Sequence, residues 1–334
     1  EISACLVGSE MCIRDSVTID PLDFSSAAAS SSVLFAIGVA AWAFQQWISR
    51  HDLTGGGRVS RPVLIRLSPV GSILGALITA VILLAAVIIP YLSITLSAMT
   101  ILRSAPPTLD NLTFDYFSIV VQMPTAQEAL IRSIGLGALG ATAAVALGVL
   151  VTVLTRRQSF IGAKLSDFLA VAPDTVPGIV LAIGFILLWN SPWLPWSPYG
   201  TMGMLVMAFT VLFLPMTIQN IKTSAESISP TMYEAAAISG SSTLQTFGRI
   251  TLPLLAPGIF AGWLLAFFVG IRELVMSSLI RPSQVNLLAP WIMNQFDQGH
   301  RAEAMAMTLI GVGTSTIVLV AITWWQNRKA AHAR

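Results

Sequence analysis

Charge is what this chain has least of. Asp, Glu, Lys and Arg make up 10% of its 334 residues, where soluble domains carry about 25%. That deficit excludes a soluble chain and puts most of the sequence in lipid. The formal net charge is +2, and no basic stripe is interleaved with aromatics, which excludes a nucleic-acid partner. The only cysteines are Cys5 and Cys12, so no disulfide framework or thiolate metal site is expected. His51, His300 and His332 are scattered without ligand spacing and read as solvated. There is no G-x-x-x-x-G-K-[ST] loop, so the chain is not expected to hydrolyse ATP itself. No paired catalytic carboxylates, nucleophile–base set or metal cluster stands out. The expectation is a non-enzyme without cofactor or metal.

Apolar runs are what is there. Hydrophobic residues make up 55% of the chain, with a mean hydropathy of +0.77. Seven segments are apolar for about 20 residues, long enough to cross a hydrocarbon core as helices. They lie near 27–48, 71–97, 131–154, 169–189, 201–221, 258–280 and 304–325. Backbone groups in lipid must bond internally, and the alternation of barrel strands is absent, so the fold class is an all-α polytopic membrane protein. The segments at 49–70, 155–168, 222–257 and 326–334 carry twelve basic residues, and those at 98–130, 190–200 and 281–303 carry three. Basic loops stay in the cytoplasm. The first set, including the C-terminal tail 327–334, is therefore expected there. The outer loop 190–200 is rich in Trp, Tyr and Pro, which suits a membrane–water interface.

The cytoplasmic loop 226–257 holds the densest local signal. Ser229-Pro230 can cap and open a helix. Ala235, Ala236 and Ala237 favour helix and keep its surface slim. Gly240 fits a left-handed C-terminal cap. Ser242 with Gln245 reads as a capping box for a second short helix, on which Leu244 and Phe247 share a face. Pro253 and Pro257 are expected to separate that helix from the next span. The result is a helix–turn–helix below the membrane. It either docks a partner or packs only against its own spans.

Three charges fall in predicted spans. Arg272 and Glu273 lie in 258–280, where an ionised side chain costs about 2.5–3.5 kcal/mol and marks a cavity or a partner charge. If helical, the two point about 100° apart. Asp174 lies in Pro173-Asp174-Thr175-Val176-Pro177-Gly178, at the expected cytoplasmic start of 169–189. Its alternatives are a pathway role or an interfacial helix cap. Gly135, Gly137, Gly140 and Gly148 along 131–154 are expected to let helices approach closely.

The run Glu234-Ala235-Ala236-Ala237-Ile238-Ser239-Gly240, continued to Ile250-Thr251-Leu252-Pro253, resembles the coupling loop of ABC-type importer permeases. The resemblance extends over roughly 27–326. It implies ATPase-coupling roles for Glu234, Ala235, Ala236, Gly240, Leu244, Phe247, Ile250, Leu252 and Pro253. It also implies a place in a bacterial inner membrane, an ATPase dimer, an external substrate-binding protein and alternating access. One unit at 71–326 with a single coupling loop, preceded by a span in 17–50 and a linker 51–70, resembles the C-terminal half of a fused two-repeat permease of the ferric-iron type. That half is not expected to work without the missing N-terminal half or a second permease half. Thiamine, polyamine and phosphonate permeases share the architecture. Residues 1–16 resemble the translation of a sequencing adapter and are set aside from the fold. The reading from a different class is an ion-driven secondary transporter, which the embedded Asp174, Arg272 and Glu273 would suit.

Overall fold

The structure is a computed structural model that describes residues 68–102, 104–105, 108–156 and 172–332, with isolated positions between 32 and 44. The expected span 27–48 falls almost wholly outside the described residues, as do the segment 1–16 and the linker to residue 67. Among the described residues every regular element is helical, apart from one bridge between Thr100 and Leu112.

The helices, in chain order, are α1 (Pro69–Leu83), α2 (Ile89–Met99), α3 (Asp115–Gln122), α4 (Pro124–Arg156), α5 (Gly178–Trp189), α6 (Met202–Glu226), α7 (Pro230–Ile238), α8 (Thr243–Thr246), α9 (Leu252–Ile271), α10 (Val275–Ile280), α11 (Leu288–Asp297) and α12 (Arg301–His332). Five stretches are long and apolar enough to cross a membrane: Pro69–Met99, Pro124–Thr155, Met202–Glu226, Thr243–Ile271 and Arg301–Trp324. α5 is apolar but shorter. The chain is thus an all-α polytopic membrane protein, with five helices of spanning length and one shorter apolar helix among the described residues.

Two spans contain a π-helical turn, Leu84–Ile88 and Phe247–Thr251. In each, the residue after the turn donates its N–H five residues back, Ile89 to Leu84 and Leu252 to Phe247. In each, a proline follows at once, Pro90 or Pro253. A proline ring clashes with the carbonyl four residues back and supplies no N–H. A widened turn moves that carbonyl aside, so the helix continues. This corrects the expectation for the loop 226–257. Pro253 sits in the first turn of α9 and Pro257 inside it. The helical path runs unbroken from Thr243 to Ile271.

The chain divides into two compact units, residues 1–43 with 128–290, and residues 44–127 with 291–334. In the first, α4, α6 and α9 pack through small residues. A Cβ at Gly140 would lie 2.8 Å from the Phe209 Cβ, and one at Gly270 would lie 3.2 Å from the Gly137 Cα. A Cβ at Gly262 would lie 3.1 Å from the Thr217 Cα. Gly258, Gly262, Ala266 and Gly270 therefore form the close-packed edge of α9, four residues apart. Of the glycines expected to pack on α4, Gly137, Gly140 and Gly148 do so, but Gly135 faces open space. Thr217 adds an interhelical bond, its Oγ1 donating to the Ala144 carbonyl at 3.3 Å.

The segment 281–303 is more ordered than expected and contains α11. Asn286 Nδ2 donates to Glu128 at 3.1 Å, the Leu288 N–H donates to Ser133 Oγ at 2.8 Å, and Arg132 pairs with Glu128. These bonds tie the segment before α11 to the start of α4. In the second unit α12 packs on α2 and α3. His300, expected to be solvated, pairs with Glu303 at 2.9 Å at the start of α12. α1 buries none of its residues, as suits a helix clad by lipid or by another subunit.

Candidate functional site: a partner-facing elbow and two interrupted spans

The elbow lies between α6 and α9. Ser229 Oγ accepts the Thr231 N–H at 3.3 Å and opens α7. Gly240 closes it with φ +74°, a conformation that costs other residues about 1–2 kcal/mol. Its N–H donates to the Ala237 carbonyl and the Ser241 N–H to the Ala236 carbonyl, both at 3.0 Å. That paired pattern is a Schellman cap. One residue later the capping box is complete. The Ser242 N–H reaches Gln245 Oε1 at 3.0 Å, and the Gln245 N–H reaches Ser242 Oγ at 3.3 Å. Thr246 Oγ1 donates to Ser241 Oγ at 3.1 Å, locking the turn between the helices.

One face of the elbow is anchored. Tyr233 packs on a buried cluster of Ile221, Ala225, Ile228 and Leu255, and the Thr251 hydroxyl lies 3.5 Å from the Tyr233 hydroxyl. Ala236 is buried with it. The other face carries exposed apolar side chains, Ile238 at 89% and Leu244 at 79%. Glu234 and Ala235 are exposed beside them. Leu244 and Phe247 stand three apart on one helical path, as expected, but differ in burial. α8 lasts one turn before the π-helical turn begins at Phe247, and Phe247 is half-buried where Leu244 is free. Ile250 is half-buried, Leu252 and Pro253 exposed. Sequence reasoning passed over Ile238. Its signal was a large aliphatic side chain ending an alanine run, just before the turn glycine.

The second feature is a pair of interrupted spans. The span expected at 258–280 is not one helix. α9 ends at Ile271, Arg272 and Glu273 leave the helical path, and α10 restarts at Val275. Glu273 provides the reason. Its carboxylate accepts the Met276 and Ser277 N–H groups, each at 2.9 Å, and the Ser277 hydroxyl at 3.1 Å. It is thereby engaged at the start of α10 and, of the two alternatives of a pathway role and an ion pair with another helix, shows no ion pair among the described residues. Arg272 is exposed, and its Nε donates to the Phe268 carbonyl at 3.4 Å.

The start of the neighbouring span is irregular where it is described. Ala172–Thr175 forms a 3₁₀ turn and α5 starts only at Gly178, because Pro173 and Pro177 cannot donate to a helix there. A Cβ at Gly178 would lie 4.0 Å from Val275 Cγ1, so the first residues of α5 and α10 touch. Ile179 and Ile183 of α5 pack with Val275 and Leu279. At the far end of α5, Trp193 and Trp196 are exposed, as in an interfacial belt. The 12 residues of α5 rise about 18 Å from Gly178 to that belt, in a hydrocarbon core of about 30 Å. By that arithmetic the start of α5 and the break at Arg272, which adjoin, fall inside the hydrocarbon core and short of its far face. Asp174, expected at the start of this span with a pathway or capping role, is exposed in the 3₁₀ turn that precedes α5. Among the described residues, no group of His, Cys, Asp and Glu could hold a metal ion.

Multiple apolar helices, a break between α9 and α10 and an ordered elbow between α6 and α9 suit a membrane transport component. Residues 144–332 match the binding-protein-dependent transport system inner membrane component family, and the chain belongs to that family. It is a permease component of an ABC transporter, an inner-membrane transport subunit and not an enzyme. It is 27% identical over 214 residues to the putrescine transport system permease protein of Escherichia coli K12, covering 62% of this chain and 76% of that one. It is 25% identical over 222 residues to a spermidine/putrescine permease of Haemophilus influenzae, covering 66% and 83%. A Salmonella choleraesuis permease named for 2-aminoethylphosphonate transport is 24% identical over 207 residues, covering 61% and 77%. The fold resembles that of a chain in the bacterial alginate ABC transporter bound to its periplasmic protein (TM-score 0.61, 16% identity, covering 75% of this chain and 91% of that one). A second alginate importer structure matches with TM-score 0.59 at 17% identity, covering 77% and 96%.

Proposed function

We propose that this chain forms half of the translocation pathway of an ATP-driven importer and couples to its ATPase through the elbow Pro230–Thr251. The observation that carries the coupling role is the exposed apolar tip. Ile238 and Leu244 stand in water-facing positions on a loop whose fold is fixed by two caps. An elbow that served only its own spans would turn such residues inward, as it does Tyr233 and Ala236. Glu234 beside the tip offers a charge for the rim of a groove on the ATPase. The excess of basic residues on the loops at this level supports a cytoplasmic elbow and a cytoplasmic C-terminus.

The partners in this reading are an ATPase dimer, an external binding protein and a second permease half. ATP closes the ATPase dimer, the elbow moves with it, and the interrupted spans open outward to receive solute. Family membership supports this over the ion-driven reading. Ferric iron is the cargo expected from sequence resemblance. The relatives named above favour a small organic solute of the polyamine or aminophosphonate kind.

The test is a pull-down of the transport complex from detergent, comparing wild type with Gly240→Arg. Retention of an ATPase by wild type and its loss from the variant is the expected result. A folded wild-type preparation that retains no ATPase would sink the coupling role.

A further inference from the structure

We propose that Arg272 is an oxyanion-recognising group of the pathway. The transported solute then presents a phosphonate, phosphate or carboxylate face, and not a bare ammonium or bare metal ion. The inference rests on the importer reading above and adds the sign of the cargo's charge.

Arg272 and Glu273 are adjacent, but only one of the two charges is available. Both Glu273 oxygens are engaged by the start of α10, where they meet two backbone N–H groups and a hydroxyl. Arg272 uses its Nε on the Phe268 carbonyl. No acid lies within ion-pair distance of it among the described residues. Its two Nη groups therefore keep an open fork, the geometry that binds an oxyanion through two parallel hydrogen bonds. The favourable field at the C-terminus of α9 accounts for a positive charge at this point. It does not account for an unfilled fork.

Position makes the open fork a functional signal. Arg272 continues the exposed stripe of Leu265 and Val269 on α9, and it sits beside the break that adjoins the start of α5. A guanidinium at that depth is disfavoured against lipid and faces a partner charge or a water-filled path. Two spans that unwind side by side supply such a path, because irregular backbone at membrane depth is tolerated where it lines a cavity. A polyamine or an uncomplexed ferric ion would be repelled there. An aminophosphonate, or ferric iron carried inside an oxyanion complex, would be attracted.

The charge can be read without knowing the cargo. In the assembled complex, with Cys5 and Cys12 changed to serine, Val269→Cys places a thiol one turn below Arg272, about 5–6 Å away. The probes are two methanethiosulfonates, one bearing a sulfonate and one a trimethylammonium. The expected result is sulfonate labelling faster by on the order of tenfold, kept in Arg272→Lys and lost in Arg272→Gln. Asp174→Asn, which removes the acid of the adjoining break, keeps or raises the preference. Protection of the thiol by 2-aminoethylphosphonate would identify a free oxyanion solute, and protection by ferric citrate a chelated metal. Equal labelling by both reagents, no labelling from water, or protection by putrescine alone would overturn the assignment. Retention of the ATPase by the same preparation separates the two claims. Its absence counts against the importer reading, and its presence with no charge preference counts against Arg272 only.

Discussion

Alanine at Gly258 and alanine at Gly135 are the same change on the same kind of element, yet the structure assigns them opposite signs. Both positions are helical, and alanine is favoured over glycine in a helix by about 0.8–1.0 kcal/mol. At Gly135 a Cβ meets nothing within 4 Å, so the propensity gain stands alone and the variant is expected to be at least as stable as wild type. At Gly258 a Cβ would overlap the Asn220 carbonyl oxygen and Ser224 Oγ, and would lie 2.9 Å from the Ser224 Cβ. Ser224 Oγ can rotate away. The Asn220 carbonyl is helix backbone and cannot, so α6 and α9 must separate. Overpacking of this kind costs about 1–3 kcal/mol, which exceeds the propensity gain and also loosens the contacts at Gly262, Ala266 and Gly270. The assay is thermal inactivation of the purified protein in detergent, followed by loss of the monodisperse species. Net of the propensity gain the loss reaches about 2 kcal/mol, so Gly258→Ala is expected to melt lower by up to roughly 8 °C, at about 2–4 °C per kcal/mol. Gly135→Ala is expected to match or exceed wild type. If Gly258→Ala melts no lower, or if Gly135→Ala is equally damaging, the close α6–α9 crossing is not what holds this unit together.

Gly240→Asn should retain the ATPase in a pull-down and Gly240→Val should lose most of it, since asparagine tolerates positive φ and a β-branched residue does not; equal behaviour of the two would show that the left-handed cap is not required. Ile238→Asp should abolish ATPase retention with no change in melting temperature, because the side chain is 89% exposed and touches little of its own chain. A drop in melting temperature instead would mean that Ile238 is structural. Glu273→Gln should lower the melting temperature while sparing ATPase retention. It weakens charge-assisted bonds to the α10 N-terminus worth about 1.5–3 kcal/mol each at most, and retained stability would show that α10 is capped some other way.

Helix type, span positions and the elbow were legible in the sequence because each rests on local rules. Ser242 and Gln245 stand at capping-box spacing, Gly240 stands where only a positive φ ends the helix cheaply, and the apolar runs exceed what a soluble core needs. The α9 glycine edge was missed for a different reason. Gly258, Gly262, Ala266 and Gly270 lie inside a run that is apolar all round, where periodicity gives no face. Only the partner helix, through Thr217, Asn220 and Ser224, shows which side must be bare. The break at Arg272 was hidden similarly, since hydropathy averages over two charged residues flanked by long apolar stretches. What decides it is Glu273 reaching forward three and four residues to the N–H groups of α10. A carboxylate placed ahead of Val275-Met276-Ser277 is a cap signal, but a weak one within a span.

The prolines argue the same point from the other direction. Pro253, expected to break its helix, does not, and Pro90 likewise lies in an unbroken one. Each follows a π-helical turn that moves the clashing carbonyl aside, so both helices stay continuous. The path from the elbow to the break at Arg272 is one such case. α8, the turn at Phe247–Thr251 and α9 form a single helical lever that begins at the exposed tip and ends at Ile271, one residue before Arg272. Pro173 and Pro177 lie in the 3₁₀ turn and the irregular residues after it, and α5 starts only at Gly178. Proline therefore accompanies continuity in one helix and an irregular start in another. In the coupling proposed above, an unbroken path from Thr243 to Ile271 is what would carry a movement of the elbow to the break at Arg272.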